Sequence, residues 1–351
     1  MSRRTVSSIL ACVLLVVLFA VAALLPVPYV TMSPGPTINV LGESQGKDII
    51  DIAGHKTYPA KGQLRLTTVS VTGPSQDLTL VEAMTAWFDQ TRAVYPRDVI
   101  YDPRKSVQDV QTESSVEMVG SQDTAIAAAL SELGYHVPTV TEVLAVTKDA
   151  PADGKLRVRD KILSVNGKQI SDAASVSKAV QRTGVGKPAR FVVRRDGKVE
   201  RVTVRTKASA DDPDKAIVGV VVGEGYRFPF DVSVNIDDQI GGPSAGLIFS
   251  LGVYDELTPG SLTGGAEVAG TGTISPDGSV GPIGGIQQKI VAAADAGAKL
   301  FLVPPANCKA ALGADVSEDE ITLVRAPSMH SAITSVKAFA EDKDAKLPKC
   351  G

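Results

Sequence analysis

The sequence predicts an α+β protein with an apolar N-terminal helix, on three observations. The chain opens with an uncharged run from Ile9 to Leu25. Short β-rich units joined by Asn-Gly and Asp-Gly turns follow over residues 137–206, and strands alternate with helices after residue 216. With 351 residues, 44% of them apolar and 21% charged, the chain is long enough for two or three hydrophobic cores.

The apolar run is predicted to be a membrane anchor over residues 9–28. Two arginines precede the run, two prolines follow it, and it reaches the lower end of membrane-spanning length. The absence of a small-x-small cleavage site after the run favours an uncleaved anchor over a signal peptide. Because the next basic residue is Lys47, the positive-inside rule leaves residues 1–8 in the cytoplasm and the body of this single-pass protein outside the cell membrane.

The charge of the chain bears on nucleic-acid binding, and its cysteines bear on disulfide formation. The net charge is -3, the basic residues are dispersed, and a single Trp is available for base stacking, so the composition disfavours a nucleic-acid partner. Cys308 and Cys350 could form a disulfide in an oxidising compartment, or they could be a buried thiol and a cysteine in a loose tail over residues 343–351. No cofactor or metal motif is found.

The segment after the anchor begins with a Pro- and Gly-rich stretch, residues 29–61, predicted to be an extended lead-in. The first predicted strand covers residues 64–71. The stretch Thr79–Glu82 has the form of a capping box, which opens an amphipathic helix. Trp87 and Phe88 on the apolar side of that helix are interpreted as core residues.

An Ala-rich helix over residues 115–133 is predicted to end at Gly134, and the β-rich units follow it. Within them, Ala150–Gly167 resembles the central signature of bacterial protease-associated PDZ domains, with Arg159 where that family usually has Gly. The resemblance implies a PDZ domain over residues 137–207, which would bind an extended peptide at a sheet edge or serve only as a spacer or gate. Its nearest candidate for a carboxylate-binding loop is Gly134–Val137.

The stretch Asp238–Phe249 contains the candidate nucleophile. Turn residues surround Ser244, and apolar residues at helical spacing follow it, so the hydroxyl is predicted to lie at a loop-to-helix junction. The unpaired N–H groups at a helix start suit a developing oxyanion. A serine hydroxyl also needs a base that removes its proton.

Two bases are possible. Lys289 is predicted in the first turn of a helix with apolar neighbours, where burial and the helix dipole would favour the neutral amine, although an exposed helical lysine fits the spacing equally well. Alternatively, Gly242–Gly246 matches Gly-x-Ser-x-Gly, and His330 with Asp277, Asp295 or Asp315 would keep the Ser, Asp, His order of an α/β-hydrolase esterase. Polar residues before the serine turn, and the predicted helix around His330, disfavour that esterase.

Two blocks, Gly242–Gly246 and Gly270–Lys289, resemble the signature blocks of the Lon protease proteolytic domain. The resemblance implies that Ser244 is the nucleophile and that Lys289, 45 residues later, is the general base. It also implies the supporting residues, which are Thr271 beside the lysine and Gly242, Pro243 and Ala245 around the serine.

One position departs from the Lon pattern. Gly241 stands where the family usually has Asp, so that carboxylate is absent or is supplied by Asp237 or Asp238. The helix around Glu117–Ala125 resembles the one before the catalytic half of Lon. The expected Lon-like domain therefore comprises residues 62–136 and 216–342, with the PDZ domain inserted between them.

Anchor, PDZ and Lon-like domain together resemble the YlbL-type bacterial proteins over nearly the whole chain. The implied function is a membrane-tethered serine endopeptidase that acts on peptide or protein substrates, and hexamers are expected from the resemblance alone. No Gly-x-x-x-x-Gly-Lys-Ser/Thr loop is present, so we expect ATP-independent cleavage of unfolded or flexible segments. A non-catalytic PDZ adaptor with a vestigial Lon-like domain is the alternative from a different class.

Overall fold

The computed structural model describes residues 3–237 and 240–351. Its helices confirm the predicted amphipathic and Ala-rich segments, and a short 3-10 turn covers Pro305–Asn307. The α-helices in chain order are α1 (Arg3–Leu24), α2 (Leu80–Phe88), α3 (Arg97–Ile100), α4 (Val107–Glu132), α5 (Ala173–Thr183), α6 (Gly246–Leu257), α7 (Ile286–Asp295), α8 (Cys308–Ala311) and α9 (Met329–Glu341).

The strands form two large sheets and several two-residue pairings. In chain order they are β1 (Pro26–Val27), β2 (Tyr29–Asn39), β3 (Glu43–Ser44), β4 (Lys47–Asp48), β5 (Ile50–Ala53), β6 (Gln63–Val71), β7 (Leu78–Thr79), β8 (Ala93–Pro96), β9 (Thr139–Val146), β10 (Lys161–Val165), β11 (Lys168–Gln169), β12 (Pro188–Arg195), β13 (Lys198–Arg205), β14 (Lys207–Ala208), β15 (Ala216–Ile217), β16 (Val220–Tyr226), β17 (Asp231–Val234), β18 (Glu267–Gly270), β19 (Thr273–Ile274), β20 (Val280–Gly281), β21 (Leu300–Val303) and β22 (Thr322–Arg325).

The first large sheet has the strand order β22-β21-β18-β6-β2-β8. Its β22, β21, β18 and β6 are parallel neighbours, whereas β2 is antiparallel to both β6 and β8. This mixed sheet, together with the helices around it, confirms the α+β class.

Helices cover both faces of this sheet. Along β21, Leu300 and Leu302 point into a core built with α4, α6 and α9, while Phe301 and Val303 point into a second core with α7 and α8. Side chains alternate between the two faces of a strand, so α6 and α7 lie on opposite faces of the sheet.

The second large sheet has the order β13-β12-β10-β9-β16, with β11 paired to β10. Helix α5 packs on it around a separate core that includes Val176 and Phe191. Both predicted hairpin turns are confirmed, because Asn166-Gly167 and Asp196-Gly197 all adopt the left-handed φ values that two-residue hairpin turns require.

One strand pairs outside the segment in which it was predicted to lie. The predicted Lon-like segment 216–342 includes β16, but β16 is hydrogen-bonded to β9 along its length, from Val220 opposite Val146 to Tyr226 opposite Thr139. Strand spacing alone does not show which neighbour a strand pairs with. We propose that the boundary between the two units lies near residue 226.

The prediction of an extended lead-in over residues 29–61 is wrong. Strand β2 lies inside the first sheet between β6 and β8, and Val30 and Ile49 are fully buried. The prolines of β2 are tolerated because its register with β6 shifts between Pro34 and Thr37. The turn-forming composition therefore concealed a strand.

The capping box of α2 is confirmed, but the core assignment of two residues on this helix is wrong. The Glu82 amide donates to Thr79 Oγ1, and the Thr79 amide donates to the Glu82 carboxylate. The helix turns Ala83 inward and leaves Trp87 and Phe88 largely exposed. Amphipathic spacing identified the apolar face of α2 without showing what covers it.

The chain begins with an exposed apolar helix and ends in a tail that a disulfide fixes. Helix α1 is long and apolar enough to cross a membrane, and none of its side chains is buried. At the other end, a disulfide joins Cys308 to Cys350, and the Arg325 amide donates to the carbonyl of Pro348. The C-terminal tail is therefore attached to α8 and β22.

Candidate active site

The turn before α6 holds Ser244 against two other elements. Gly242 has a φ of 85°, in the left-handed region that glycine adopts without strain. On α4, Ser121 Oγ donates to the Pro243 carbonyl over 3.0 Å. A Cβ atom at Gly246 would lie 2.8 Å from Ile274, so glycine allows the turn to pack closely against β19.

Thr271 directly follows β18 and lies between Ser244, just before α6, and Lys289 on α7. Its Oγ1 donates to the Ser244 carbonyl over 3.0 Å and accepts from Lys289 Nζ over 3.0 Å. The Gly272 amide donates to the same Ser244 carbonyl over 2.8 Å. Thr271 is fully buried, so these bonds fix the serine and the lysine relative to the strand end.

Lys289 reaches Ser244 from the other face of the sheet. Its Nζ lies 2.7 Å from Ser244 Oγ, and only 2% of the residue is exposed. Burial lowers the pKa of Lys289 to about 8, because the charged ammonium loses its hydration. At pH 7 roughly one lysine in ten is then neutral and able to accept a proton.

The start of α7 shows how a lysine is buried this deeply. Gly285 precedes the helix with a φ of 66°, and a Cβ atom there would lie 2.7 Å from Met32 and from Val69. A glycine therefore lets the helix approach β2 and β6, and Lys289 points into the space between them and α6.

A cleft of about 660 Å³ opens onto Ser244. Its apolar lining residues include Ile38, Leu66, Met118 and Ile240. A second cleft of about 700 Å³ shares Met118, Ile240, Ser44 and Asp237 with the first and extends to Arg159 beside the second sheet. The two clefts together form a path from the serine to the PDZ-like unit.

Arg159 joins the two units. Its Nη2 donates to Gln122 Oε1 over 2.7 Å, and its Nε donates to Asp123 Oδ1 over 3.2 Å, both on α4. Its φ of 69° explains why the PDZ pattern usually has Gly here. The departure at Arg159 was visible in the sequence, but its contact with α4 was not, because the partners lie 36 and 37 residues earlier in the chain.

Two buried carboxyl groups lie beside this contact. Glu142 on β9 is 2% exposed, and Asp123 on α4 is 3% exposed. Burial, followed by the neighbouring Asp123, raises the pKa of Glu142 to about 9. Burial also lowers the pKa of nearby Lys161. The junction between the units therefore holds a protonated carboxyl group near neutral pH.

The structure does not bring together the residues of the esterase alternative. His330 Nδ1 lies 2.7 Å from Glu132 Oε1 on the surface, and no hydrogen bond connects His330 with Ser244 among the described residues. Asp277 accepts from the Ser279 amide. The described residues also contain no cluster of three His, Cys, Asp or Glu side chains that could hold a metal ion.

Gly241 packs closely against α4. A Cβ atom at Gly241 would lie 1.8 Å from Ser114 Oγ, so the aspartate of the Lon pattern would require the Ser114 side chain to move. Of the two acidic residues considered as substitutes, Asp237 lines the cleft at Ser244, and Asp238 lies outside the described residues.

Comparison with known proteins defines two domains. Residues 238–331 match the model of the Lon protease (S16) C-terminal proteolytic domain, and residues 111–206 match that of the PDZ domain. The chain thus contains a PDZ domain and a Lon-type proteolytic domain. This combination is that of the PDZ/Lon-like proteins of YlbL type.

The curated relatives share only part of their length with this chain. It is 33% identical over 113 residues to Lon protease 2 of Bacillus subtilis strain 168, covering 31% of this chain and 20% of the relative. It is 42% identical over 66 residues to the Lon protease of Phenylobacterium zucineum, covering 19% and 8%. The chain therefore spans a fifth or less of the length of these relatives.

Solved structures similar to this chain cover about a quarter of it. A Geobacillus thermodenitrificans protein solved in solution is 24% identical, with a TM-score of 0.22 and coverage of 23% of this chain and 94% of that one. The PDZ domain of an SdrC-like protein from Listeria innocua is 20% identical, with a TM-score of 0.22 and coverage of 24% and 92%.

Proposed function

We propose that this protein is an ATP-independent, membrane-tethered serine endopeptidase with Ser244 as nucleophile and Lys289 as general base. The observation that carries the proposal is the 2.7 Å contact between Lys289 Nζ and Ser244 Oγ in a buried site. Burial supplies what a lysine base needs, a substantial neutral fraction near neutral pH.

In the proposed reaction, neutral Lys289 Nζ accepts the proton of Ser244 Oγ while Oγ attacks the carbonyl carbon of the substrate. Amide groups of the turn at the start of α6 bind the resulting oxyanion. The ammonium then donates its proton to the departing amine, which leaves an acyl ester on Ser244. Water activated by the same lysine hydrolyses that ester. Throughout, Thr271 holds Nζ in place.

The substrate class follows from what surrounds the site. This chain has no P-loop, and we therefore propose that it cleaves segments that are already flexible or unfolded. The cleft at Ser244 takes an extended chain, and its continuation to Arg159 supports delivery from the PDZ side. Helix α1 is the proposed tether.

A gating role for the PDZ domain has its own structural support. Arg159 contacts Gln122 and Asp123 on α4, and the preceding residue Ser121 donates to the carbonyl directly before Ser244. A displacement of the PDZ domain would therefore move the α4 residues that hold the nucleophile turn, Gly242–Ala245.

The test is cleavage of an unstructured fluorogenic peptide by the full chain and its variants. Ser244→Ala should abolish cleavage, and His330→Ala, a matched control on the surface, should retain it. A fluorophosphonate reagent should label the protein at Ser244. Unchanged cleavage by Ser244→Ala would refute the endopeptidase, and a folded protein with neither cleavage nor labelling would favour the non-catalytic PDZ adaptor.

A further inference from the structure

Helix α2 exposes an apolar face that no other described element covers. Trp87 is 71% exposed and Phe88 is 78% exposed, the highest values on this helix among its large apolar residues. Leu80, Val81 and Met84 lie on the same face, since these five residues follow helical spacing, and they are 36%, 46% and 51% exposed. The opposite side of α2 buries Ala83 and Ala86.

The place of α2 in the fold indicates what covers this face. The Leu80 amide, the first of α2, donates to the carbonyl of Leu25 directly after α1, over 3.2 Å. Immediately beside this bond, β1 (Pro26–Val27) pairs with β7 (Leu78–Thr79). Helix α1 also contacts α2. The two helices are therefore joined at the end of α1 by backbone hydrogen bonds, with no flexible linker.

The start of α2 lies at the level where the apolar span ends, because Leu80 is bonded to Leu25, the residue directly after α1. The headgroup region of a bilayer, on the order of 5 to 8 Å thick, begins where the hydrocarbon ends. Trp is enriched in that zone because its ring is apolar and its N–H is polar. In water, the same side chains would form an exposed apolar patch.

We propose that the apolar face of α2 is embedded in the headgroup region of the phospholipid bilayer that α1 crosses. The inference rests on the proposed tether and adds a second, interfacial attachment to it. The proteolytic domain would then be held at a fixed height and orientation against the membrane. Its accessible substrates would be flexible segments that lie close to the same membrane surface.

Trp87 provides the experiment, because it is the single Trp of the chain and so the sole source of Trp fluorescence. The full chain, carrying Ser244→Ala to prevent self-cleavage, is reconstituted into vesicles of phosphatidylcholine and phosphatidylglycerol, with and without acyl chains brominated near the headgroup. We expect blue-shifted emission that brominated lipid quenches by about half or more.

A matched control moves the probe to a distant surface. In Trp87→Phe combined with Val199→Trp, the Trp lies on β13 of the PDZ sheet at a position that is 57% exposed. We expect red-shifted emission that brominated lipid does not quench. A further variant, Val81→Thr with Met84→Gln and Phe88→Gln, keeps Trp87 and should lose most of its quenching without unfolding, because these side chains face outward.

Vesicle flotation and alkaline extraction of the same samples separate this inference from the tether. A chain that floats and resists extraction, but whose Trp87 is red-shifted and unquenched, would overturn the interfacial attachment and leave the tether intact. Blue-shifted but unquenched emission would show that α2 is covered by protein, such as a second copy of this chain. That result would also overturn the interfacial attachment. A chain that does not float would refute both.

Discussion

Two sites in this molecule bury an ionisable group and shift its pKa towards the neutral form, and they do so by different means. Beside Ser244, burial alone lowers the pKa of Lys289, and the hydrogen-bond partners of its amine are hydroxyl groups. At the junction of the two domains, Glu142 is neutralised by burial together with a second carboxyl group, Asp123, and positive side chains lie nearby. One group is isolated among neutral partners, and the other belongs to a cluster of charges.

The difference indicates what each site can do. An amine with a pKa of about 8 exchanges its proton within the physiological range, which suits a base. A carboxyl group with a pKa of about 9 stays protonated over that range, and its cluster holds two domains together. The first site is suited to proton transfer and the second to attachment.

The largest expected effect comes from Lys289→Arg, which keeps the positive charge but cannot become neutral. We expect kcat/KM for an unstructured peptide to fall by about 1,000-fold or more. In the unmodified chain kcat/KM should rise with pH up to about 8, because the ammonium loses its proton there. Stopped assays between pH 5.5 and 9.5 measure both. Arginine that retains activity would contradict the proposed base.

The second prediction concerns stability at the junction. The pKa of Glu142 is raised from 4.5 to about 9, so the folded state keeps a proton that the unfolded state loses. Its contribution is fully present below pH 4.5 and is lost as pH rises through about 9. Glu142→Gln mimics the protonated group and should raise the free energy of unfolding at pH 8 by up to about 4 kcal/mol more than at pH 5.

Urea unfolding at the two pH values measures this effect. Glu200→Gln, at a half-buried carboxylate on β13 of the same sheet that pairs with Arg195, serves as the control and should show no comparable pH-dependent gain. A Glu142→Gln variant that is destabilised equally at pH 5 and pH 8 would show that Glu142 is charged in the folded protein.

The smallest effect is expected for Arg159→Gly. Glycine suits the φ of 69° at this position, so the turn should fold at least as well, while both bonds to α4 are lost. If the PDZ domain gates the nucleophile turn, kcat should change by about 2- to 10-fold, with the melting temperature of the chain little changed. Arg157→Gly, a nearby exposed arginine, is the control. Identical kcat values in both variants would remove the gating role.

Much of this arrangement was predictable from the sequence. Turn residues before an apolar helix indicated Ser244, whereas Lys289 and Thr271 were implied by the resemblance of the second glycine-rich block to the Lon proteolytic domain. Local patterns could not reveal long-range pairings. The neighbours of β2 and β16, the contact of Arg159 with α4, and the exposure of Trp87 all depend on segments distant in sequence.

Ser244 and Lys289, the proposed nucleophile and base, come from opposite faces of one sheet. Each is held by a different hydrophobic core, and they meet at Thr271, at the end of β18. Neither half of the domain supplies both residues. Because local opening of a core costs less than global unfolding, we expect loosening of either core to separate Ser244 from Lys289. If the two residues form the proposed dyad, a partly opened copy would then be unable to cleave its neighbours.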